Sequence, residues 1–189
     1  MKRLILASAS PRRREILSVL GIPFTVEPAG IDEIPRDGES PEDFVRRAAR
    51  EKGIEVSSRI GDNAVILSAD TIVVVDGEIL GKPRDLDDAR RMLRRLSGRE
   101  HAVLTAVWVG DHARNINREG MERTAVWFRE LSEEQIGDYV TREDVLDKAG
   151  AYAIQGYAAA YIPRIEGNYF NVMGLPLPLV VDFLRQALE

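Results

Sequence analysis

Short hydrophobic runs alternate with turn-forming residues along this chain, which is typical of alternating strands and helices. Residues 4–7 form the first apolar run, and apolar positions then repeat at helical spacing over residues 16–20. Ser10 and Pro11 precede this repeat in the order typical of an N-cap and a first helical position, and Gly21 follows it. The pattern therefore predicts a strand, a loop and a helix at the beginning of the chain.

The remaining chain continues with strand and helix patterns of similar length. Residues 64–75 are rich in Val and Ile, and Asp76 and Gly77 then give a strong two-residue hairpin signal before a short strand at 78–80. Periodicity and capping residues predict the other elements. These are strands at 24–27, 102–109, 124–128, 152–154 and 159–165, a polar turn at 110–120, and helices at 41–57, at 86–96, after Ser132 and after Pro176.

Strand–helix units at the start and hairpins in the middle predict an α/β or α+β fold around one mixed, twisted sheet. We expect two lobes with a central cleft. The length of 189 residues fits one domain spanning residues 1–189, without an internal repeat or a long linker.

Composition narrows the possible chemistry. The chain has no cysteine and only two histidines, which excludes disulfides, thiolate nucleophiles and Cys-ligated or His-rich metal sites, so that any metal must be held by oxygen. A formal net charge of -5 opposes broad binding to nucleic acid or anionic lipid. No apolar stretch approaches the ~20 residues that cross a bilayer, and we expect a cytoplasmic protein without membrane or nucleic-acid partners.

A first polar cluster, residues 8–13, lies where a loop opens a helix. Free backbone N–H groups and the positive end of the helix dipole meet the guanidinium groups of Arg12 and Arg13 there, and Ser8 precedes them. This combination favours binding of a polyphosphate. The alternative is a basic first turn that only faces solvent.

A second cluster places Asp70 and Thr71 inside an otherwise apolar strand. A carboxylate at the mouth of a buried strand can hold a hard divalent cation or take a proton from water, and it can also simply end the strand. Glu33 offers a second carboxylate in a loop, where most acidic residues face water.

Two lysines and a glutamine complete the candidate residues. Lys82 lies in a rigid Gly-Lys-Pro turn and suits a phosphate oxygen, although it also fits an ordinary surface turn. Lys52 lies far along its helix, where a solvated charge is the alternative to binding. Gln155 carries a donor and an acceptor that can pair with the edge of a nucleobase or cap a strand edge.

Five motifs occur in one order, at residues 8–13, 70–71, 81–83, 147–156 and 171–176. Together they resemble those of the Maf-like nucleoside triphosphate pyrophosphatases, over about residues 4–185. The resemblance implies a fold like that of the inosine triphosphate pyrophosphatases and hydrolysis of a nucleotide to monophosphate and pyrophosphate. It also implies a divalent cation, Mg²⁺ or Mn²⁺, and a homodimer.

The same resemblance assigns roles to individual residues. It makes Asp70 the proton acceptor and a metal ligand, and it places Glu33 near the metal. The residues that it places around the phosphates are Ser8, Arg12, Arg13, Lys52 and Lys82.

Arg12, Thr71 and Gln155 match the branch of the family that acts on dTTP and UTP. The resemblance thus implies hydrolysis of these or of modified pyrimidine nucleotides, as housecleaning of the nucleotide pool. The alternative is a nucleotide-binding regulator of septum formation and cell division without significant turnover. Release of pyrophosphate distinguishes the two.

Overall fold

The computed structural model describes residues 2–61 and 63–188, and these ranges contain seven strands and six α-helices. The strands are β1 (Arg3–Leu6), β2 (Phe24–Val26), β3 (Ala64–Val75), β4 (Glu78–Leu80), β5 (Glu100–Asp111), β6 (Ile116–Trp127) and β7 (Arg164–Glu166). The helices are α1 (Pro11–Ser18), α2 (Pro41–Ile60), α3 (Leu86–Leu96), α4 (Glu133–Arg142), α5 (Tyr169–Met173) and α6 (Leu177–Leu188).

The strands form one mixed sheet in the order β2-β1-β3-β5-β6-β7, and β4 pairs with β3. β1 is parallel to both neighbours, and Leu4 stands opposite Phe24 on one side and Val65 on the other. β4 is antiparallel to β3, and β7 is antiparallel to β6. The predicted mixed α/β fold is confirmed. Among the residues described, no helix is both long and apolar enough to cross a bilayer.

The chain divides into two compact units. The first comprises the chain up to Asp70, residues Thr105–Glu122 and the chain from Gly174 onwards, and the second comprises Thr71–Leu104 and Arg123–Met173. Strands β3, β5 and β6 each contribute residues to both units. A single domain with a central cleft stays a prediction.

The core of the first unit joins α2 to the sheet. Val56 of α2 packs with Ile5, Ile66 and Trp108. A Cβ atom on Gly53 would fall 2.1 Å from Trp108 Cε3, so only glycine lets the helix approach the indole this closely. The close packing of α2 against the sheet therefore requires a glycine at position 53.

A larger core fills the second unit. Leu93 of α3 and Tyr139 of α4 are completely buried there with Val126 of β6. His101 lies in the same interior, and its Nε2 is 2.7 Å from the Tyr152 hydroxyl oxygen. Burial lowers the pKa of His101 to about 4, which keeps the imidazole neutral at pH 7. These properties suit a packing role for this histidine.

The polar turn predicted at 110–120 is wrong. β5 continues to Asp111 and β6 begins at Ile116, so the connection contains only residues 112–115. Several polar side chains of β6 have partners on other elements, which makes them compatible with a strand. Arg50 of α2 donates to Glu119 Oε2 at 3.0 Å, for example.

The strands predicted at 152–154 and 159–165 are also wrong, apart from the short strand β7. The second segment begins instead with a 3-10 helix, Tyr157–Tyr161. Gly150 and Gly156 have φ angles of 68° and 91°, and this left-handed backbone cannot continue an extended strand. Tyr152, Ile154 and Tyr161 are nevertheless buried, in backbone that belongs to no strand.

Gly53→Ala tests the close packing of α2. The new methyl group would collide with Trp108, and we expect the free energy of unfolding to fall by about 1–3 kcal/mol in urea denaturation. Gly137→Ala in α4 is the matched control, because nothing lies within 4 Å of its added Cβ. Alanine should stabilise that helix by ~0.5–1 kcal/mol. Equal behaviour of the two variants would contradict the packing constraint.

Candidate active site

The first helix begins as the sequence predicts. Ser10 is its N-cap, and the Ser10 hydroxyl accepts a hydrogen bond from the Arg13 backbone N–H at 3.4 Å. Ser8 is buried before this helix, and its hydroxyl oxygen lies 3.2 Å from both the Ser10 backbone nitrogen and a terminal nitrogen of Arg13. The loop therefore places a hydroxyl, a helix N-terminus and a guanidinium side by side, which are donors suited to phosphate oxygens.

Arg13 connects the two ends of the chain. Its Nε donates to the Gly174 carbonyl oxygen at 2.8 Å, so the motif at 8–13 contacts a residue of the last motif that belongs to the first unit. Burial lowers the pKa of Arg13, and the negative charges of Asp70 and Glu33 oppose this shift. The guanidinium stays protonated at neutral pH and contributes a fixed positive charge near both carboxylates.

Lys52 bridges two carboxylates. Its Nζ lies 2.6 Å from Asp70 Oδ1 and 2.7 Å from Glu33 Oε1. These three side chains come from α2, from the buried part of β3 and from the loop between β2 and α2. Lys52 and Asp70 are 8% and 3% exposed. The alternative prediction for Lys52, a lysine that faces solvent on its helix, is therefore wrong.

Asp70 is equipped to accept a proton or a cation. Burial raises the pKa of its carboxyl group, and the charge of Lys52 opposes that shift. Asp70 Oδ1 accepts the hydrogen bond from Lys52, whereas Oδ2 is buried and has no hydrogen-bond partner among the residues described. A buried carboxylate oxygen without a donor costs free energy, and binding or catalysis is one reason for a protein to retain such an oxygen.

The donor chemistry at Glu33 and Asp70 fits a hard divalent cation. Both offer carboxylate oxygens, and one positive charge already lies between them. No cluster of three or more His, Cys, Asp or Glu side chains suited to a metal occurs in residues 2–61 and 63–188. Mg²⁺ is commonly held by one or two carboxylates together with phosphate oxygens of a substrate, so two carboxylates suffice for a nucleotide-dependent site.

Local packing explains how Lys52 and Asp70 meet. Ser68, two residues before Asp70, donates its hydroxyl to the Ala49 carbonyl oxygen of α2 at 2.6 Å. Gly53, the residue after Lys52, faces Trp108. Sequence reasoning missed this arrangement, although a glycine in the interior of a long helix is a recognisable sign of close packing.

The other candidate residues lie in the second unit. Thr71 follows Asp70 in β3, and the exposed Lys82 lies in the turn after β4. Gly150 N–H donates to the Gly81 carbonyl oxygen at 3.0 Å, so the motifs at 81–83 and 147–156 are in contact. Gln155 is half-buried at the end of the second motif.

The structure thus brings together one subset of the predicted residues in the first unit, and Arg12 is half-buried beside Arg13 in the same helix. Thr71, Lys82 and Gln155 lie on separate elements of the second unit. The subset that meets consists of Ser8, Arg13, Glu33, Lys52 and Asp70. Roles of all these residues in binding or catalysis stay predictions.

Comparison with known proteins identifies the family. The family described as Maf-like protein matches residues 3–187, and this chain belongs to it. A dTTP/UTP pyrophosphatase of Syntrophus aciditrophicus is 47% identical over 97% of this chain and 89% of its own length. A dTTP/UTP pyrophosphatase of Geobacter sp. strain M21 is 50% identical over 96% of this chain and 94% of its own length. The resemblance carried by the five motifs is confirmed.

Similarity to solved structures is weaker. A nucleoside-triphosphatase, a dITP/XTP pyrophosphatase from Mycobacterium abscessus, aligns with a TM-score of 0.42 at 16% identity. The alignment covers 68% of this chain and 75% of that one. A close likeness to the inosine triphosphate pyrophosphatase fold stays a prediction.

Proposed function

We propose that this protein hydrolyses dTTP and UTP, or modified pyrimidine nucleotides, to the monophosphate and pyrophosphate, and thereby cleans the nucleotide pool. Membership of the family and the two relatives at 47% and 50% identity support this substrate class. The observation that carries the proposal is the buried carboxylate of Asp70, which is paired with Lys52 on one oxygen and has no hydrogen-bond partner on the other within residues 2–61 and 63–188.

Positive groups of the site bind the triphosphate. Arg13 and Lys52 carry charges in half-buried and buried positions, and Ser8 and the N-terminus of α1 add neutral donors. Arg12 is proposed to bind phosphate as well, and so is Lys82 in the second unit. Most of the rate acceleration would come from holding and neutralising the phosphates, as in phosphoryl transfer generally.

Glu33 and Asp70 are proposed to hold a divalent cation, Mg²⁺ or Mn²⁺. When bound, the ion neutralises phosphate oxygens and the charge that develops on them. Asp70 has a second role, because burial raises its pKa and its Oδ2 is available to take the proton of the attacking water. Water adds across the phosphoanhydride bond between the α- and β-phosphates, this bond breaks, and the products are the monophosphate and pyrophosphate.

Gln155 is proposed to recognise the base. Its amide offers a donor and an acceptor, which complement a carbonyl oxygen and the N3–H group of uracil or thymine. A base that leaves buried polar groups unpaired would lose about 1–3 kcal/mol for each group. Thr71 and Arg12 are proposed to contribute to the same preference, because they match the dTTP/UTP branch.

The resemblance also supports a homodimer, and the composition supports a cytoplasmic location. We propose both, with nucleoside triphosphate as the ligand and without nucleic-acid or membrane partners. The net charge of -5 supports the last point, because it opposes association with polyanionic surfaces.

Asp70→Asn tests the proposed reaction. The amide retains an oxygen toward Lys52 and cannot take a proton, so we expect kcat to fall about 10²- to 10⁴-fold while the fold is retained. Turnover is measured as pyrophosphate released from dTTP in magnesium buffer, and folding by thermal denaturation. If the protein is instead a regulator without turnover, the wild-type protein itself will bind dTTP and release no pyrophosphate.

Asp111→Asn is the matched control for this measurement. Asp111 is a second buried aspartate of the first unit, and it is paired with Lys2 at 2.7 Å and with Arg114 at 2.6 Å. Its substitution should lower stability and leave kcat close to the wild-type value. Wild-type turnover of Asp70→Asn would remove Asp70 from the mechanism.

Gln155→Glu tests recognition of the base. A carboxylate cannot donate to a carbonyl oxygen, so kcat/KM for dTTP and UTP should fall about 10- to 100-fold relative to the other triphosphates. Gln135→Glu is the control, because Gln135 belongs to the capping box of α4 and glutamate preserves that motif. An unchanged substrate profile of Gln155→Glu would refute the proposed role.

A further inference from the structure

Glu33 lies in a segment that has no regular secondary structure of its own. Residues 27–40, between β2 and α2, contain neither a helix nor a strand. The position of the Glu33 carboxylate, 2.7 Å from Lys52, therefore depends on side chains that tie this segment to the rest of the first unit.

Arg47 of α2 holds this segment through hydrogen bonds from its guanidinium group. Its Nε and one terminal nitrogen donate to the two carboxylate oxygens of Glu39 at 2.6 Å and 2.7 Å. The same terminal nitrogen donates to the Ile34 carbonyl oxygen at 2.9 Å, and the other donates to Glu51 at 2.9 Å. All three guanidinium nitrogens are used, and one of them binds the residue directly after Glu33.

This contact is largely shielded from solvent. The side chains of Arg47 and Glu39 are each only 10% exposed, and the guanidinium carbon lies 5.5 Å from the centre of the buried Phe44 ring. The hydrogen bonds from Arg47 lower the pKa of Glu39 to about 2, so the pair stays ionised throughout the neutral range. Bidentate arginine–carboxylate pairs also fix orientation, which a lysine cannot do.

A second arginine of α2 holds the other end of the segment. Arg59 donates to the Pro28 carbonyl oxygen at 2.9 Å, and its side chain is 46% exposed. This contact lies five positions before Glu33 and is open to solvent. The two arginines thus make the same kind of contact to one segment, and they differ in burial and in distance along the chain from the carboxylate.

We propose that Arg47 is a positioning residue that holds the Glu33 carboxylate toward Lys52 and Asp70 and thereby sets the affinity of the site for a divalent cation. The cation-binding part of this inference rests on the proposed function. Arg47 acts through the Ile34 backbone and touches neither the substrate nor the reacting atoms.

The experiment compares Arg47→Met with Arg59→Met in the full chain, at a temperature where both variants are folded. Three quantities are measured: hydrogen exchange of the backbone amides at 29–38, Mn²⁺ binding by calorimetry, and pyrophosphate release as a function of Mg²⁺ concentration. Loss of a charged hydrogen bond corresponds to roughly a tenfold change or more. Arg47→Met should show at least about tenfold faster exchange, tenfold weaker Mn²⁺ binding and a tenfold higher Mg²⁺ requirement.

Arg59→Met should leave exchange near Ile34, Mn²⁺ binding and the Mg²⁺ requirement close to their wild-type values. Arg47→Lys keeps the positive charge but loses the planar guanidinium that makes two parallel hydrogen bonds. Its Mn²⁺ binding should therefore stay below that of the wild type. If Arg47→Met fails to fold, Glu39→Gln is used instead, because it weakens the same ion pair from the carboxylate side. It should shift all three quantities in the same direction.

Three results would separate the possibilities. Equal behaviour of Arg47→Met and Arg59→Met would overturn the proposal. Faster exchange without weaker Mn²⁺ binding would also overturn it, since the contact would then only stabilise the fold. If the wild type releases no pyrophosphate, the proposed function fails, whereas exchange and Mn²⁺ binding still decide whether Arg47 positions Glu33.

Discussion

Two carboxylates and one ammonium group share a small volume in the first unit, and the site is organised around that arrangement. Asp70 and Glu33 would repel each other without a positive charge between them, and Lys52 supplies it at 2.6 Å and 2.7 Å. Lys52 and Asp70 are buried, so each of their charges needs a partner, whereas Glu33 is exposed and adds a second carboxylate next to Lys52. The relative positions of β3, α2 and the segment before α2 are consequently restricted by these ion pairs.

The remaining features of the unit can be understood from this requirement. Gly53 lets α2 approach Trp108, and Ser68 ties the same helix to β3, which brings Lys52 within reach of Asp70. Arg13 adds a further positive charge from α1 and is itself held by the Gly174 carbonyl oxygen. Residues that are far apart in the sequence thus support one cluster, which accounts for the separation of Arg13, Asp70 and Gly174 along the chain.

Local structure could be predicted from the sequence wherever a short-range interaction determines it. Ser10 and Ser132 cap their helices as expected, and the strand at 64–75 turns back at Asp76 and Gly77. Such features depend on a few neighbouring residues. The last part of β6 was predicted as a strand, but its polar first part was not, because charged side chains there pair with residues such as Arg50 that are distant in sequence.

The types of residue in the candidate site could be predicted, but their contacts could not. Lys52 has the sequence environment of a solvated helical lysine, and only the packing of α2 against β3 buries it. Arg47 could not be distinguished from the other arginines of the chain, since its importance comes from Glu39 and Ile34 folding back over it. Long-range contacts of this kind leave no local pattern for sequence analysis to detect.

A double-mutant cycle between Lys52→Met and Asp70→Asn, measured as free energies of unfolding, tests whether Lys52 stabilises the buried charge of Asp70. Removing Lys52 alone leaves Asp70 with an unpaired buried charge, which typically costs about 3–5 kcal/mol. With asparagine at position 70, the loss should be smaller by at least about 1 kcal/mol. If the two losses of unfolding free energy add to within ~0.5 kcal/mol in the double variant, the two side chains are not coupled. That result would contradict the dependence of the buried Asp70 charge on Lys52.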